Sequence, residues 1–311
     1  MPPDTPPASP ARSEKPLRQA LVRGGLAALT PVLRFLPWRA VLLLGAGLGR
    51  LACALQPRRR LRAREALVRA FGDHFDGAAL RRLERAVFVG LAKNLAEIGW
   101  SLADPARVDG LMRIEGEEHL RAALARGRGA VLITGHLGSW ELLAAALIRA
   151  GFPLSVIARE ANDGRVNEFL VGLRRRFGVR TVLRGSPGAA RDILRTLKNG
   201  EVLGCLIDQD TRVEGVFVDF FGRPAFTPTG PTTLALRGGA PVVLASCWRE
   251  PDGRHRARLE PPLTLDRGPD LAADVARHTA TFTAWLEARI REHPDQWVWI
   301  HRRWRRQPSA S

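Results

Sequence analysis

The N-terminal part of this 311-residue chain is apolar but lacks a long uninterrupted apolar run. A helix that spans a bilayer wants about 20 such residues. The longest charge-free stretches here, Gly24–Leu33 and Ala40–Gly49, reach ten each. Leu17 to Gln56 is broken by Arg18, Arg23, Arg34, Arg39 and Arg50, which also argues against a tidy signal peptide. Cysteine is scarce: Cys53, Cys205 and Cys247 stand far apart, and no C-x-x-C exists. That excludes a structural zinc site and a disulfide framework, and points to buried free thiols in a reducing compartment. Lysine is nearly absent, leaving Lys15, Lys93 and Lys198 among 48 basic residues. Acidic residues number 31, so the formal net charge is +17 and the pI is near 11.5. Such a surface asks for acidic company: anionic lipid, a phosphorylated substrate, an acidic protein or nucleic acid. Neither Gly138-Ser139-Trp140 nor Gly185-Ser186-Pro187-Gly188 has the flanks of a nucleophile elbow, so Ser139 is not expected to be a covalent nucleophile. Gly45-Ala-Gly-Leu-Gly49 has the wrong spacing for a dinucleotide loop.

What is present divides the chain in four. Residues 1–16, rich in Pro, Ser and Ala, are expected to form a disordered tail. Residues 17–56 are expected to form a helix or helix pair in the membrane interface, with Arg stems snorkelling and Phe35 and Trp38 at headgroup level. An amphipathic helix packed on the protein's own core is the alternative. Residues 57–110 open with the basic run Arg58–Arg64, suited to an anionic leaflet. Helical periodicity follows, split by Gly72-Asp73 into two helices. From 111 to 306 strands alternate with helices, implying an α/β fold: a mostly parallel central sheet flanked by helices on both faces. Expected strands are Ala130–Thr134, Leu154–Ala158, Val179–Leu183, Val202–Ile207 and Pro241–Ser246. The expected helices are Glu117–Arg126, Trp140–Arg149, Val166–Phe177 and Ala189–Asn199.

The chemistry concentrates at strand ends. Ala130–Thr134 is apolar without alternation, Gly135 breaks it, and a helix begins at Trp140 with Ser139 as a plausible N-cap. His136 therefore lies in the turn between a strand and a helix, where open α/β sheets bind ligands. Glu141 reaches it only by pointing back from the first helical turn, which would orient the ring as a general base toward a hydroxyl. Arg159 and Asp208 end two further strands, so three polar residues converge on one sheet edge. Asp208-Gln-Asp210 reads either as a metal site of the glycosyltransferase kind or as carboxylates fixing an arginine or the catalytic turn. The second is favoured because Arg159 and Arg176 crowd the same edge. Val216–Gly222 and Pro224–Gly230 make an apolar ribbon and loop, either lining an acyl groove or forming a core hairpin. The basic, aromatic stretch Gln296–Arg306 suits nucleic acid or lipid headgroups.

Gly135-His-Leu-Gly-Ser-Trp-Glu141 resembles the H-x4-[DE] motif of glycerolipid acyltransferases. More narrowly, it is similar to the His-x-Gly-Asn-Trp-Glu block of the bacterial lipid A biosynthesis (lauroyl/myristoyl) acyltransferases. The likeness continues through Arg159-Glu160, Arg176 ahead of Gly178, Gly204–Asp210, Phe220–Ala225, Thr227–Gly230 and Trp297–Trp304, in order over roughly residues 20–306. Two departures are Ser139, where the family usually has Asn, and the interrupted N-terminal segment, a membrane anchor in the family. The resemblance implies a glycerolipid acyltransferase-like fold and transfer of a fatty acyl group from acyl carrier protein to a hydroxyl of a phosphorylated glucosamine lipid. The expected place is the cytoplasmic face of the bacterial inner membrane. It implies His136 as general base with Glu141 as its partner. Arg159 and Arg176 would bind phosphate or orient the turn, with Glu160 beside them and Asp208 or Asp210 holding them. N–H groups after Gly138 and Ser139, or an arginine, would stabilise the oxyanion. No cofactor, metal or nucleic acid is expected. The rivals are the same fold acting on another glycolipid, aminolipid or lysophospholipid, a metal-dependent DxD glycosyltransferase, and a basic nucleic-acid-binding protein.

Overall fold

The computed structural model describes residues 33, 35–159 and 164–308. The expected tail 1–16, residues 17–32, Arg34 and Glu160 lie outside the described residues. Among the described residues the opening helices with given bounds are α1 (Trp38–Leu55), α2 (Pro57–Phe71), α3 (Gly77–Ser101) and the short α4 (Arg107–Leu111). A 3-10 turn at Gly72–His74 separates α2 from α3, where the glycine was expected to split the helical pattern. Asp76 caps α3 by accepting from the Ala79 amide at 2.6 Å.

The α/β part follows as β1 (Met112–Glu115), α5 (Glu117–Leu124), β2 (Ala130–Thr134), α6 (Trp140–Arg149), β3 (Leu154–Arg159) and α7 (Gly164–Arg176). Next come β4 (Arg180–Arg184), α8 (Ala189–Lys198), β5 (Val202–Leu206), β6 (Gly215–Asp219) and β7 (Pro224–Pro228). The chain finishes with α9 (Gly230–Gly238), β8 (Val242–Arg249), β9 (His255–Leu259), α10 (Leu271–Glu292) and an irregular C-terminal strap. Seven strands form one sheet in the order β1-β9-β8-β2-β5-β3-β4. All neighbours are parallel except β8 and β9. β6 and β7 form a separate antiparallel hairpin.

The unbroken apolar character of β2 has a direct cause. Val131 and Ile133 face one core with Leu203, Leu244, Phe282, Leu286 and Trp297. Ala130 and Leu132, on the opposite face, join a second core with Leu120, Leu142, Leu147 and Val243. A central strand covered on both sides has no face left for polar residues.

α1 and α3 touch along most of their lengths, and the glycines of Gly45-Ala-Gly-Leu-Gly49 set their spacing. A Cβ on Gly45 would lie 2.8 Å from the Lys93 Cα, and one on Gly49 would lie 2.6 Å from the Val89 Cα. Val41, Ala46 and Cys53 complete the buried face. Opposite them Leu43 is 74% and Leu55 70% exposed, with Leu48 and Leu51 also exposed. α1 thus packs on the protein with one face, as in the alternative of a helix on the protein's own core, and leaves leucines exposed on the other. By length and composition it is also apolar enough to cross a membrane, with a mean hydropathy of 1.4 over 18 residues. Trp38, expected at headgroup level, is half-buried and packs against the second core. Its indole N–H donates to Glu97 at 2.8 Å.

Candidate functional site

β2, β5 and β3 lie side by side and run parallel, so their C-terminal ends open on one crevice. Beyond β2 the chain turns at Gly135, whose missing side chain is required: a Cβ there would sit 2.6 Å from Leu286 Cδ2 and 3.0 Å from Asp208 Oδ2. Gly138 has φ +60°, and a Cβ on it would meet the Cys247 carbonyl oxygen at 2.2 Å. The turn is fixed on several sides. Gly138 N–H donates to the Gln296 carbonyl at 3.1 Å, and Val298 N–H to the His136 carbonyl at 3.2 Å. Asn94 Nδ2 donates to the Gly138 carbonyl at 2.7 Å. Ser139 stands at the expected N-cap position, yet its buried hydroxyl makes no capping hydrogen bond.

Asp208, just past β5, is the carboxylate that meets His136. Its Oδ1 lies 2.7 Å from His136 Nδ1. Its Oδ2 accepts the His136 backbone N–H at 2.7 Å and the Trp297 indole N–H at 2.7 Å. The Asp208 side chain is 1% exposed. Burial opposes its charge, but the facing His136 ring and these donors outweigh burial and hold its pKa well below the carboxylate range. An ionised Asp208 fixes the hydrogen of neutral His136 on Nδ1, leaving the Nε2 lone pair to act as a base. The ring also packs edge-on against Trp140, with centroids 4.8 Å apart.

Glu141 does not contact His136 in the manner expected from the spacing. It forms a bidentate pair with Arg174, at 2.9 and 2.6 Å. Both side chains line the same cavity as His136. Arg176, expected at the crevice, donates to the Leu102 carbonyl at 3.0 Å and does not line the cavity. The reason is helical phase. Asn167, Leu170 and Arg174 share one face of α7 and line the cavity together, whereas Arg176 is two residues further round. Arg159 lines the cavity at the end of β3. Beside it Arg184 has its pKa lowered by burial and by Arg159, and it donates to Thr211 Oγ1 at 3.3 Å. Asp210 turns away from Asp208 and is held by Arg305 at 3.1 Å and Arg306 at 2.8 Å. The two carboxylates of Asp208-Gln-Asp210 thus have separate partners, an arrangement unlike a shared metal site.

The cavity holds about 650 Å³, within the range of roughly 300–1,000 Å³ typical of small-molecule sites. Ala144, Val156, Leu170, Ile193, Leu206 and Leu234 give it apolar walls, while His136, Arg159, Arg174, Arg184 and Gln209 supply polar groups. The β6–β7 hairpin packs Phe220, Phe221 and Ala225 into the core, and Pro228 at its end reaches the cavity wall.

Three contributors escaped the sequence reading. Gln209 Nε2 stands 2.9 Å from His136 Nε2 and 3.0 Å from His301 Nε2. Trp297 holds Asp208. Both Trp297 and His301 belong to the strap Gln296–Arg306, whose basic, aromatic composition suited nucleic acid or lipid headgroups. Instead Trp297, Trp299, Arg303 and Trp304 are buried, because the strap lies under the turn that carries His136 and against the β6–β7 hairpin. Arg303 donates to the Phe226 carbonyl and to Thr227 Oγ1, each at 2.5 Å. The available signal was the spacing of tryptophans among arginines, which fits a buried strap as well as a surface.

Residues 13–306 match the family model described as bacterial lipid A biosynthesis acyltransferase. The chain is 30% identical over 193 residues to the phosphatidylinositol mannoside acyltransferase of Mycobacterium tuberculosis, a match spanning 61% of this chain and 59% of that protein. It is 29% identical over 284 residues to the lipid A biosynthesis lauroyltransferase of Escherichia coli, spanning 88% of each. Among solved structures, the 1-acyl-sn-glycerophosphate acyltransferase of Thermotoga maritima aligns at a TM-score of 0.39 and 16% identity, over 84% of this chain and 99% of that one.

Proposed function

The chain belongs to the bacterial lipid A biosynthesis acyltransferase family, and from that premise we propose that it moves a fatty acyl group from acyl carrier protein to a hydroxyl of a lipid A precursor. The observation that carries this reading is His136, oriented by Asp208, at the polar part of a largely apolar cavity of about 650 Å³. The Nε2 lone pair of His136 takes the proton of the acceptor hydroxyl, and the oxygen attacks the thioester carbonyl directly. Asp208 holds the tautomer and stabilises the imidazolium that forms. Arg159, Arg174 and Arg184 face the same space and suit an acidic carrier and a phosphorylated acceptor, while Glu141 sets Arg174 in place. The fatty chain lies against the apolar wall, each buried methylene contributing about 0.8 kcal/mol.

The exposed leucines of α1 and the basic run Arg58–Arg64 suit docking on an anionic inner membrane from the cytoplasmic side. A second acceptor class, a mannosylated phosphatidylinositol-type glycolipid, is favoured by the 30% identity to the mycobacterial relative. Mass spectrometry of total lipids from cells with and without the chain separates the two. One extra ester-linked acyl group on lipid A supports the first acceptor, and one on a different glycolipid supports the second. No acyl change in any lipid overturns both.

A further inference from the structure

We infer that Gln209 is a catalytic residue whose side-chain amide donates to the oxyanion formed when the acceptor hydroxyl attacks the thioester. The inference rests on the acyl-transfer reading above and adds a role to a residue that reading leaves unused.

The argument is a proton inventory. Asp208 accepts three hydrogen bonds, from His136 Nδ1–H, the His136 backbone and Trp297. With its hydrogen on Nδ1 the His136 ring keeps an in-plane lone pair at Nε2, and Gln209 Nε2, 2.9 Å from Nε2 and 3.4 Å from Nδ1, lies over the ring face and leaves that lone pair open to the acceptor hydroxyl. On the other side Gln209 Nε2 stands 3.0 Å from His301 Nε2. Burial, with the nearby His136, lowers the His301 pKa to about 4, so His301 is neutral at pH 7 and can accept. One hydrogen of the NH₂ group goes to His301, and the nitrogen stays against the His136 ring, in the cavity that Gln209 and His136 both line. An acceptor hydroxyl reaches His136 Nε2 in the ring plane without displacing the amide. The amide's other hydrogen is left to donate to the carbonyl oxygen as the acceptor attacks, while the first stays on His301 and keeps the amide in position. Two backbone donors of the turn are engaged: His136 N–H with Asp208, and Gly138 N–H with the Gln296 carbonyl.

The step balances without a further reagent. The acceptor O–H bond breaks and its proton passes to His136 Nε2. The acceptor oxygen bonds the carbonyl carbon, and the C=O π pair moves onto the oxygen held by Gln209. Collapse restores the carbonyl and breaks the C–S bond, and the leaving thiolate takes the proton from His136.

The test uses the full chain, acyl carrier protein carrying a labelled acyl thioester, and the lipid acceptor found above. Gln209→Ala and Gln209→Glu are compared with wild type and with His136→Ala across pH. Gln209→Glu keeps size but carries no hydrogen to donate when ionised, so it also serves if Gln209→Ala fails to fold. Removal of one oxyanion donor lowers kcat by about 10²–10³-fold. The expected result is that loss in both variants, with KM for each substrate within about threefold and, in Gln209→Ala, the acid limb of the pH profile unmoved; Gln209→Glu is read on rate and KM alone, because its charge beside His136 shifts the limb by itself. A raised KM at unchanged kcat, or a shifted acid limb with an unchanged plateau rate, overturns the assignment. An inactive His136→Ala beside a fast Gln209→Glu overturns this inference alone, whereas an active His136→Ala enzyme overturns the acyl-transfer mechanism itself.

Discussion

Replacing Asp208 by asparagine tests which carboxylate orients the His136 ring. Asparagine keeps the shape but has a single acceptor atom. With that oxygen toward the His136 backbone and Trp297 N–H groups, its NH₂ faces His136 Nδ1, now 2.7 Å from a carboxylate oxygen. The ring must then place its hydrogen on Nε2, and the base loses the lone pair that faces the cavity. The reverse amide orientation sets NH₂ against two N–H donors, each conflict costing about 1–3 kcal/mol. The first orientation therefore wins, and the enzyme folds with the wrong tautomer. The same carboxylate-to-amide change beside a catalytic histidine in serine proteases costs about 10⁴ in kcat, or about 5 kcal/mol of barrier. Glu141→Gln removes charge from the pair with Arg174 but touches no atom of the ring. Its expected effect is below about tenfold and falls mainly on KM. Steady-state transfer from a labelled acyl thioester reads both variants. A Glu141→Gln enzyme as inactive as His136→Ala, beside an Asp208→Asn enzyme within threefold of wild type, refutes the reasoning.

Gly138→Ala places a Cβ 2.2 Å from the Cys247 carbonyl at a positive φ, so it should cost at least about 2 kcal/mol in urea unfolding and abolish transfer. Glu97, fully buried, is held by Trp38, Arg249 and His255. Although burial opposes its charge, His255 and Arg249 lower its pKa, and burial lowers that of His255. Both groups bind fewer protons folded than unfolded, so stability present at neutral pH is lost as pH falls below the ordinary values of 6.5 for His255 and 4.5 for Glu97. Thermal unfolding from pH 7 to pH 4 should show Tm falling steadily; a flat profile contradicts this. Leu43 and Leu51 lie on the exposed face of α1. Replacing both by Glu should weaken sedimentation with anionic vesicles more than tenfold and leave Tm unchanged, because a fully buried leucine contributes about 1.5–3 kcal/mol.

The sheet and its edge were legible because strand and helix signals agreed with one another. Ala130–Thr134 and Trp140–Arg149 stand where apolar run, glycine break and helical period placed them, and β3, β4, β5 and β8 shift by at most a few residues. Short β1 and β9 carried no such signal: Met112–Glu115 and His255–Leu259 interleave charges with apolar residues on a partly open side of the sheet. At the site, sequence distance misled. Glu141 is near His136 in the chain, yet Asp208 reaches the ring because β5 neighbours β2 in space. Three successive arginines, 174 to 176, point about 100° apart on a helix, and only the residue in phase with Asn167 and Leu170 meets the cavity. The strap misled through composition, since a tryptophan among arginines looks alike on a surface or buried under the turn that carries His136.

The most direct test of the central claim is single-turnover transfer by the purified full chain, from radiolabelled acyl-carrier thioester to a phosphorylated glucosamine lipid. Wild type is compared with His136→Ala at equal, verified folding. The account predicts an O-acylated product from wild type and a rate at least about 10²–10⁴-fold lower from His136→Ala. Product formed as fast without the imidazole would contradict it.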